Sequence, residues 1–123
     1  MAMKVNGKEV VWEDAPKGLY VTDVKIHVIW RDEKTGAQLR LIKYPKGGNW
    51  DRPHSHPDAN KLEVGLSGEV EMADGTRITA SGDDIIFTFV PKGKTHGAPD
   101  GTKAIRETIV LQHYDGPPTR LLV

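Results

Sequence analysis

Histidines are the residues best suited to chemistry in this 123-residue chain, and two of them, His54 and His56, lie within the sequence PHSHP. Side chains two residues apart on an extended segment point to the same side, about 7 Å apart along the strand. Two such imidazoles can bind one metal ion at about 2.0–2.1 Å each. The pattern also arises by chance in exposed loops, and the pair alone leaves both interpretations open.

A third histidine, His96, ends the sequence VPKGKTH that begins at Val90. Proline and glycine favour a tight turn, which would place His96 at the start of a strand, facing the interior of the fold. An ordinary hairpin with a surface histidine is the alternative. The chain has no cysteine, so nitrogen and oxygen are the strong metal donors that it offers.

Short β-like runs separated by turn residues account for most of the chain. Asp74-Gly75 predicts a tight hairpin, because this pair readily adopts positive φ angles. Since no segment has a sustained 3.6-residue apolar period, we predict an all-β domain with little helix, spanning residues 1–123 without an internal boundary. The predicted strands are Leu19–Trp30, Ala37–Tyr44, Leu62–Leu66, Glu69–Met72, Arg77–Ala80, Ile85–Val90 and Ala104–Gln112.

The spacing of these residues resembles the motifs of the cupins, a family of small β-barrels with the patterns G-x5-H-x-H-x3-4-E-x6-G and G-x5-P-x-G-x2-H-x3-N. The resemblance covers about Leu39 to Leu111. It implies a cupin jelly-roll β-barrel, a divalent transition metal held by the three histidines, and a homodimer. The matching residues are Gly48, His54, His56 and Gly68 in the first motif, and Pro91, Gly93 and His96 in the second.

Three positions depart from the cupin pattern. Lys61 stands where the family usually has a glutamate ligand, and a protonated ammonium cannot bind a cation. Glu63 lies two residues further on, on the same face of the strand, where it either reaches the metal or pairs with Lys61. The stretch from Gly82 to Pro91 is three residues longer than the pattern, and the asparagine position is Asp100.

Other candidate residues have weaker signals. His113 follows the last long strand and either lines the pocket as a catalytic acid or base or is an exposed strand-end histidine. Trp50 either walls the entrance or caps the core. Asp51 and Arg52 either orient a substrate or a ligating histidine or are surface charges, which is the default for both, and His27 is given no function.

The charge balance bears on the partners. Seventeen basic and seventeen acidic residues leave no net charge to attract nucleic acid or a membrane surface, so neither partner is expected. The amino terminus lacks the apolar stretch of a signal peptide, and we expect a cytoplasmic protein. A small-molecule ligand or substrate is the expected partner.

The resemblance favours a small metalloenzyme that acts on an oxygen-chelating small molecule. Iron in the site would suit dioxygenase-like C–C cleavage, whereas zinc, nickel or manganese would suit isomerisation or cyclisation at a carbonyl; the sequence leaves the metal open. One alternative is a non-catalytic cupin that serves as a sensor or small-molecule-binding module. Another is a site without metal, in which Lys61 binds an anion.

Overall fold

The structure, a computed structural model, describes residues 4–48, 51–80, 86–97 and 103–123. In these ranges the only helical segment is the short 3-10 helix Gly7–Glu9. The described residues therefore contain no helix that is long and apolar enough to cross a membrane. The all-β prediction is therefore confirmed. The strands are β1 Glu13–Asp14, β2 Lys25–Arg31, β3 Gln38–Tyr44, β4 His54–Ser55, β5 Lys61–Glu71, β6 Arg77–Ala80, β7 Phe87–Val90, β8 Lys103–Tyr114 and β9 Leu121–Leu122.

The strands pair in an antiparallel arrangement that surrounds a common interior. Six of them follow the order β1-β2-β3-β8-β5-β6, and β7 also pairs with β5. Because β7 pairs with the first part of β5 and β6 with its last part, both lie along the edge of β5 opposite β8. The short strands β4 and β9 form a separate two-stranded sheet.

The Asp74-Gly75 hairpin is present as predicted. It joins β5 to β6, whose last pair is Glu71 with Arg77. The Met72 N–H donates to the Thr76 carbonyl at 2.8 Å, and Gly75 has a φ of +85°. The positive φ explains the glycine at this position.

The prediction of two strands, Leu62–Leu66 and Glu69–Met72, was wrong, because β5 is continuous. The Ser67-Gly68 pair between them is a bulge, where the register with β8 shifts on both sides of Ser67. Gly68 has a φ of +111° and packs its backbone against Thr108. A bulge and a turn both use glycine for its conformational freedom. A Ser-Gly pair in the sequence therefore does not distinguish a bulge within one strand from a turn between two.

The interior has an apolar part and a polar part. The apolar core packs around Ile42 and Tyr44 of β3 and Val110 of β8. Further along the same strands, Arg40 and Gln112 are also buried. The polar part of the interior lies near the histidines.

Candidate metal centre

Backbone hydrogen bonds bring the two histidine motifs together. His54 belongs to β4, and its N–H donates to the His96 carbonyl at 2.7 Å, while the His96 N–H donates back to the His54 carbonyl at 2.7 Å. The Gly93 N–H donates to the His56 carbonyl at 2.8 Å. Segments about forty residues apart in sequence are therefore paired side by side.

Gly97 permits this close pairing. Its φ is +136°, and a Cβ at this position would lie 2.7 Å from both the Arg52 carbonyl oxygen and the Pro53 Cα. Any larger residue would force the backbone segments apart, because a real Cβ does not approach backbone so closely.

The three histidine side chains converge. Potential ligand atoms of His54, His56 and His96 all lie within 4.8 Å of one another. His54 is 1% exposed and His56 2% exposed, and their Nε2 atoms are 3.0 Å apart. The structure thus brings together the three histidines that the sequence predicted as metal ligands.

Hydrogen bonds at the other ring nitrogens indicate which nitrogen carries the proton. The Nδ1 of His54 lies 2.6 Å from the Arg52 carbonyl oxygen, and the Nδ1 of His56 lies 2.9 Å from the Thr119 carbonyl oxygen. A carbonyl only accepts, so each Nδ1 donates, and in the neutral ring Nε2 carries a lone pair. Two lone pairs then face each other in a buried position, an arrangement that a cation satisfies.

The spacing of the nitrogens fits a transition metal. Two nitrogens at about 2.0–2.1 Å from one ion are about 2.9–3.4 Å apart when they subtend about 90–110° at the ion. The observed Nε2–Nε2 distance of 3.0 Å falls in this range. A buried imidazole whose other nitrogen donates to a carbonyl is also the usual state of a metal-ligating histidine.

Burial keeps these histidines neutral near pH 7. It lowers the pKa of His56 to about 3, with nearby His54 and Lys61 also contributing. It lowers the pKa of His96 to about 4, with Lys61 the next cause, and lowers the pKa of His54 as well. Neutral imidazole is the form that binds metal, so the cluster is ready to bind without losing protons.

Lys61 and Glu63 form a buried ion pair beside the cluster. The Lys61 Nζ lies 2.8 Å from Glu63 Oε2 and 3.4 Å from His96 Nε2, and the lysine side chain is 4% exposed. Burial lowers the pKa of Lys61, but Glu63, Tyr114 and Asp51 outweigh it and raise the pKa overall. Glu63 was expected either to bind metal or to pair with Lys61; its carboxylate pairs with Lys61 and is outside the group of convergent ligands found among the described residues.

Of the two interpretations of Asp51, the default one, a surface charge, is wrong. Its side chain is only 5% exposed, and Oδ2 lies 3.6 Å from His54 Nε2. An isolated bridge between Tyr20 and Asp51 holds this backbone in the interior. Burial raises the pKa of Asp51, partly offset by Lys61 and His54. The burial of Asp51 could not be predicted from the local sequence, because it depends on pairing with the distant Tyr20.

A chain of buried polar side chains extends from the ion pair, and the sequence analysis missed it. Gln112 Nε2 donates to Glu63 Oε2 at 3.3 Å. Arg40 donates from Nε to Gln112 Oε1 at 2.8 Å and from Nη2 to the Tyr114 hydroxyl at 3.0 Å. The Tyr114 ring packs edge-on against His56, with centroids 4.9 Å apart. These contacts connect Lys61 to the far side of the histidine cluster.

Neither His113 nor His27 belongs to this cluster. His113 is exposed on the outer face of β8, between the inward residues Gln112 and Tyr114, and we give it no part in the chemistry. The Nδ1 of His27 lies 3.0 Å from the Val11 carbonyl oxygen. Trp50, Gly82 and Asp100 lie outside the described residues.

A cavity of about 330 Å³ opens beside the cluster. Its polar end is lined by Asp51, Lys61, Glu63 and His96. The volume is within the roughly 300–1,000 Å³ typical of small-molecule sites. Convergent polar groups at one end of a cavity provide a place to bind and orient a small molecule.

Comparison with solved structures identifies the fold. A candidate acetylacetone dioxygenase of Methylibium petroleiphilum PM1 superposes with a TM-score of 0.71 at 15% identity, covering 100% of this chain and 81% of the other. The acetylacetone dioxygenase of Acinetobacter johnsonii gives 0.66 at 16% identity, covering 94% and 74%. The polyketide cyclase RemF of Streptomyces resistomycificus gives 0.66 at 15% identity, covering 100% and 86%.

These similarities confirm the predicted fold. Other similar structures are described as a cupin domain and as a protein with a double-stranded β-helix domain. The chain therefore has the jelly-roll fold of the cupins, which confirms the fold that the sequence resemblance implied. No protein-family model and no curated protein sequence matches the chain.

Proposed function

We propose that this protein is a metal-dependent cupin enzyme that cleaves a C–C bond of a small 1,3-dicarbonyl compound with dioxygen. The observation that supports a metal is the pair of buried Nε2 lone pairs of His54 and His56, facing each other at 3.0 Å. Similarity to acetylacetone dioxygenases supports the substrate class. We propose His54, His56 and His96 as the metal ligands.

One cation at the polar end of the cavity can bind an anionic substrate. The three histidines contribute no charge themselves, because burial keeps them neutral. The Lys61 ammonium lines the same cavity and lies 3.4 Å from His96 Nε2. An oxyanion such as the enolate of a 1,3-dicarbonyl would meet an ammonium donor at the polar end, although Glu63 balances its charge at 2.8 Å.

The buried hydrogen-bond chain holds that charge in place. Glu63 fixes the Lys61 ammonium at 2.8 Å, and Gln112 in turn donates to Glu63 at 3.3 Å. Arg40 fixes Gln112 at 2.8 Å. The ammonium is thus preorganised to orient the substrate. A bound transition metal would polarise the substrate oxygens and, in the case of iron, provide reactivity with dioxygen.

The proposal is tested with protein loaded anaerobically with Fe²⁺ and then mixed with aerated 2,4-pentanedione, while oxygen consumption is recorded. We expect oxygen uptake in proportion to the diketone consumed, and its loss in the His96→Ala variant. Thr79→Val, on the outer side of β6, is the matched control and should keep wild-type uptake. No uptake by the iron-loaded wild type across a panel of 1,3-diketones would contradict the proposal.

One contact favours a second candidate, a non-catalytic module that binds small anions without metal. The Lys61 ammonium can donate to His96 Nε2 across 3.4 Å, which would occupy one of the three proposed ligand atoms. Elemental analysis of protein purified without added metal separates the candidates. Close to one transition-metal ion per chain supports the enzyme, whereas metal-free protein that binds acetate or phosphate supports the module.

We also propose that the protein forms a homodimer. Phe87 and Phe89 of β7 are 67% and 58% exposed, and Phe89 pairs with the 39%-exposed Leu62 of β5. Such an apolar patch on a sheet suits an interface between two copies. Light scattering should give a dimer mass for the wild type and a monomer mass for the Phe87→Ser/Phe89→Ser variant; a monomeric wild type would contradict the proposal.

A further inference from the structure

The cavity continues beyond the polar end along the inner sides of β5 and β6. Its further walls are apolar or small, with Gly65, Val70, Met72, Ile78, Ala80 and Val110 among them. Glu69 also lines this part, but its carboxylate faces Arg77 at 3.9 Å and is partly exposed. The cavity therefore has a polar end suited to a head group and an apolar extension with a different chemistry.

The extension runs away from the histidines. Lys61, Glu63 and Gly65 alternate along the same inner face of β5. At about 3.3 Å per residue, Gly65 lies about 13 Å along the strand from Lys61. A molecule whose oxygens are held beside Lys61 and His96 would have to carry a chain of several carbons to reach Gly65.

Small residues keep this extension open. A Cβ at Gly65 would come within 3.0 Å of the Ala80 Cβ, so the two positions face each other closely. The Gly65 N–H donates to the Ile86 carbonyl at 2.9 Å, which fixes the strand here. Any side chain larger than alanine at position 80 would extend into the space that the pair leaves free.

We propose that the natural substrate carries an apolar tail that lies along β5 and β6, and that Ala80 sets the tail length the enzyme accepts. The inference rests on the proposed function, which assigns the polar end of the cavity to a dicarbonyl head group. It adds that the rest of the substrate is an alkyl chain. Short diketones would bind the polar end only. Compounds with a medium-length alkyl chain would fill the cavity and bind more tightly.

Alkyl hydroxamates test this inference, because they are anionic two-oxygen chelators that report binding without turnover. Zinc-loaded protein is titrated calorimetrically with acetohydroxamate, hexanohydroxamate and octanohydroxamate. We expect the Kd to fall about fourfold for each methylene that enters the cavity, the equivalent of ~0.8 kcal/mol. A Kd that is the same across the series in the wild type would overturn the inference.

Variants locate the tail. Ala80→Leu should abolish the gain for octanohydroxamate and leave the Kd of acetohydroxamate within twofold. Thr79→Leu, on the outer side of the same strand, should behave as wild type. Ile78→Ala enlarges the cavity and should favour longer chains, and it replaces Ala80→Leu if that variant loses its zinc. An unchanged length dependence in both cavity variants would overturn the inference.

The hydroxamate experiment tests the tail site independently of the oxygen-uptake experiment that tests the proposed reaction. Chain-length dependence without oxygen uptake on any diketone would remove the reaction and keep the tail site. Oxygen uptake on 2,4-pentanedione without chain-length dependence would keep the reaction and remove the tail site. No binding of any hydroxamate to the zinc-loaded protein, together with no oxygen uptake by the iron-loaded protein, would overturn both.

Discussion

The inner faces of β3 and β8 are apolar at one end and polar at the other. At the apolar end Ile42 lies opposite Val110, and both are buried. Two residues away along each strand Arg40 lies opposite Gln112, and these are buried as well. The strand pairing is the same at both ends, so the backbone does not explain why the inward side chains are apolar at one end and polar at the other.

The two ends contribute differently to stability. Fully burying a side chain such as Ile42 contributes about 1.5–3 kcal/mol. Burying Arg40 and Gln112 costs desolvation, and the hydrogen bond between them offsets that cost with a net gain of only about 0.5–1.5 kcal/mol. The polar side chains therefore contribute less to the free energy of unfolding than apolar ones would at the same positions. Their presence is better explained by the neighbouring histidine cluster than by stability.

The largest expected effect is the loss of metal from the polar end. His56→Ala removes one of the proposed ligands, and we expect zinc bound after dialysis to fall from close to one ion per chain to nearly none. Plasma emission spectrometry measures it. His113→Ala, at an exposed position on β8, is the control and should retain the metal. Unchanged zinc in His56→Ala would remove that residue from the ligand set.

Breaking the buried ion pair should destabilise the polar end. Glu63→Gln leaves the Lys61 ammonium, 4% exposed, without its carboxylate, at a cost of about 3–5 kcal/mol. The double variant Lys61→Met/Glu63→Gln removes both charges and should recover most of that loss. Urea denaturation of metal-free protein measures both. A loss below about 1 kcal/mol in the single variant would be typical of a solvated surface pair and would contradict the burial argument.

At the apolar end a truncation should affect stability alone. Ile42→Ala creates a cavity in the core and should lower the free energy of unfolding by about 2–5 kcal/mol. Zinc content should stay at the wild-type level, because Ile42 packs in the apolar core rather than the histidine cluster. Leu41→Ala, on the outer side of β3, is the control with a smaller loss. A loss of zinc in Ile42→Ala would mean that the two ends are not independent.

The most gradual expected effect is a pH dependence of the stability of the metal-free protein. Burial lowers the pKa of His56 to about 3 and of His96 to about 4, whereas an unfolded histidine has a pKa of about 6.5. Between these values the unfolded chain binds protons that the folded chain does not, so stability falls as the pH falls from about 6.5 to 4. The slope is up to ~1.4 kcal/mol per pH unit for each histidine. Urea midpoints measured across this range should shift less in His56→Ala than in the wild type; equal slopes would contradict the assignment.

The sequence was most informative where chemistry depends on spacing. The convergence of His54, His56 and His96 was predictable because the two motifs resemble those of the cupins, which implies a shared metal site. The shared face of Lys61 and Glu63 was also predictable, since strand residues two apart point the same way. Which partner Glu63 takes was open, because it depends on atoms contributed by other strands.

The buried polar residues could not be predicted in the same way. Alternation in β3 indicates a strand but would normally place Arg40 on the outer face, since charged residues are seldom buried. Its inward position depends on Gln112 and Tyr114, more than seventy residues away. The burial of Asp51 similarly depends on the bridge to Tyr20. Partners distant in sequence leave no local signal.

The most direct test of the metal centre is an anomalous difference map from a crystal of the zinc-loaded protein, recorded at the zinc absorption edge. The account predicts one strong peak in the interior, about 2.0–2.1 Å from the Nε2 atoms of His54, His56 and His96. A peak bound to fewer than two of these nitrogens, or ordered histidines with no peak between them at saturating zinc, would contradict it.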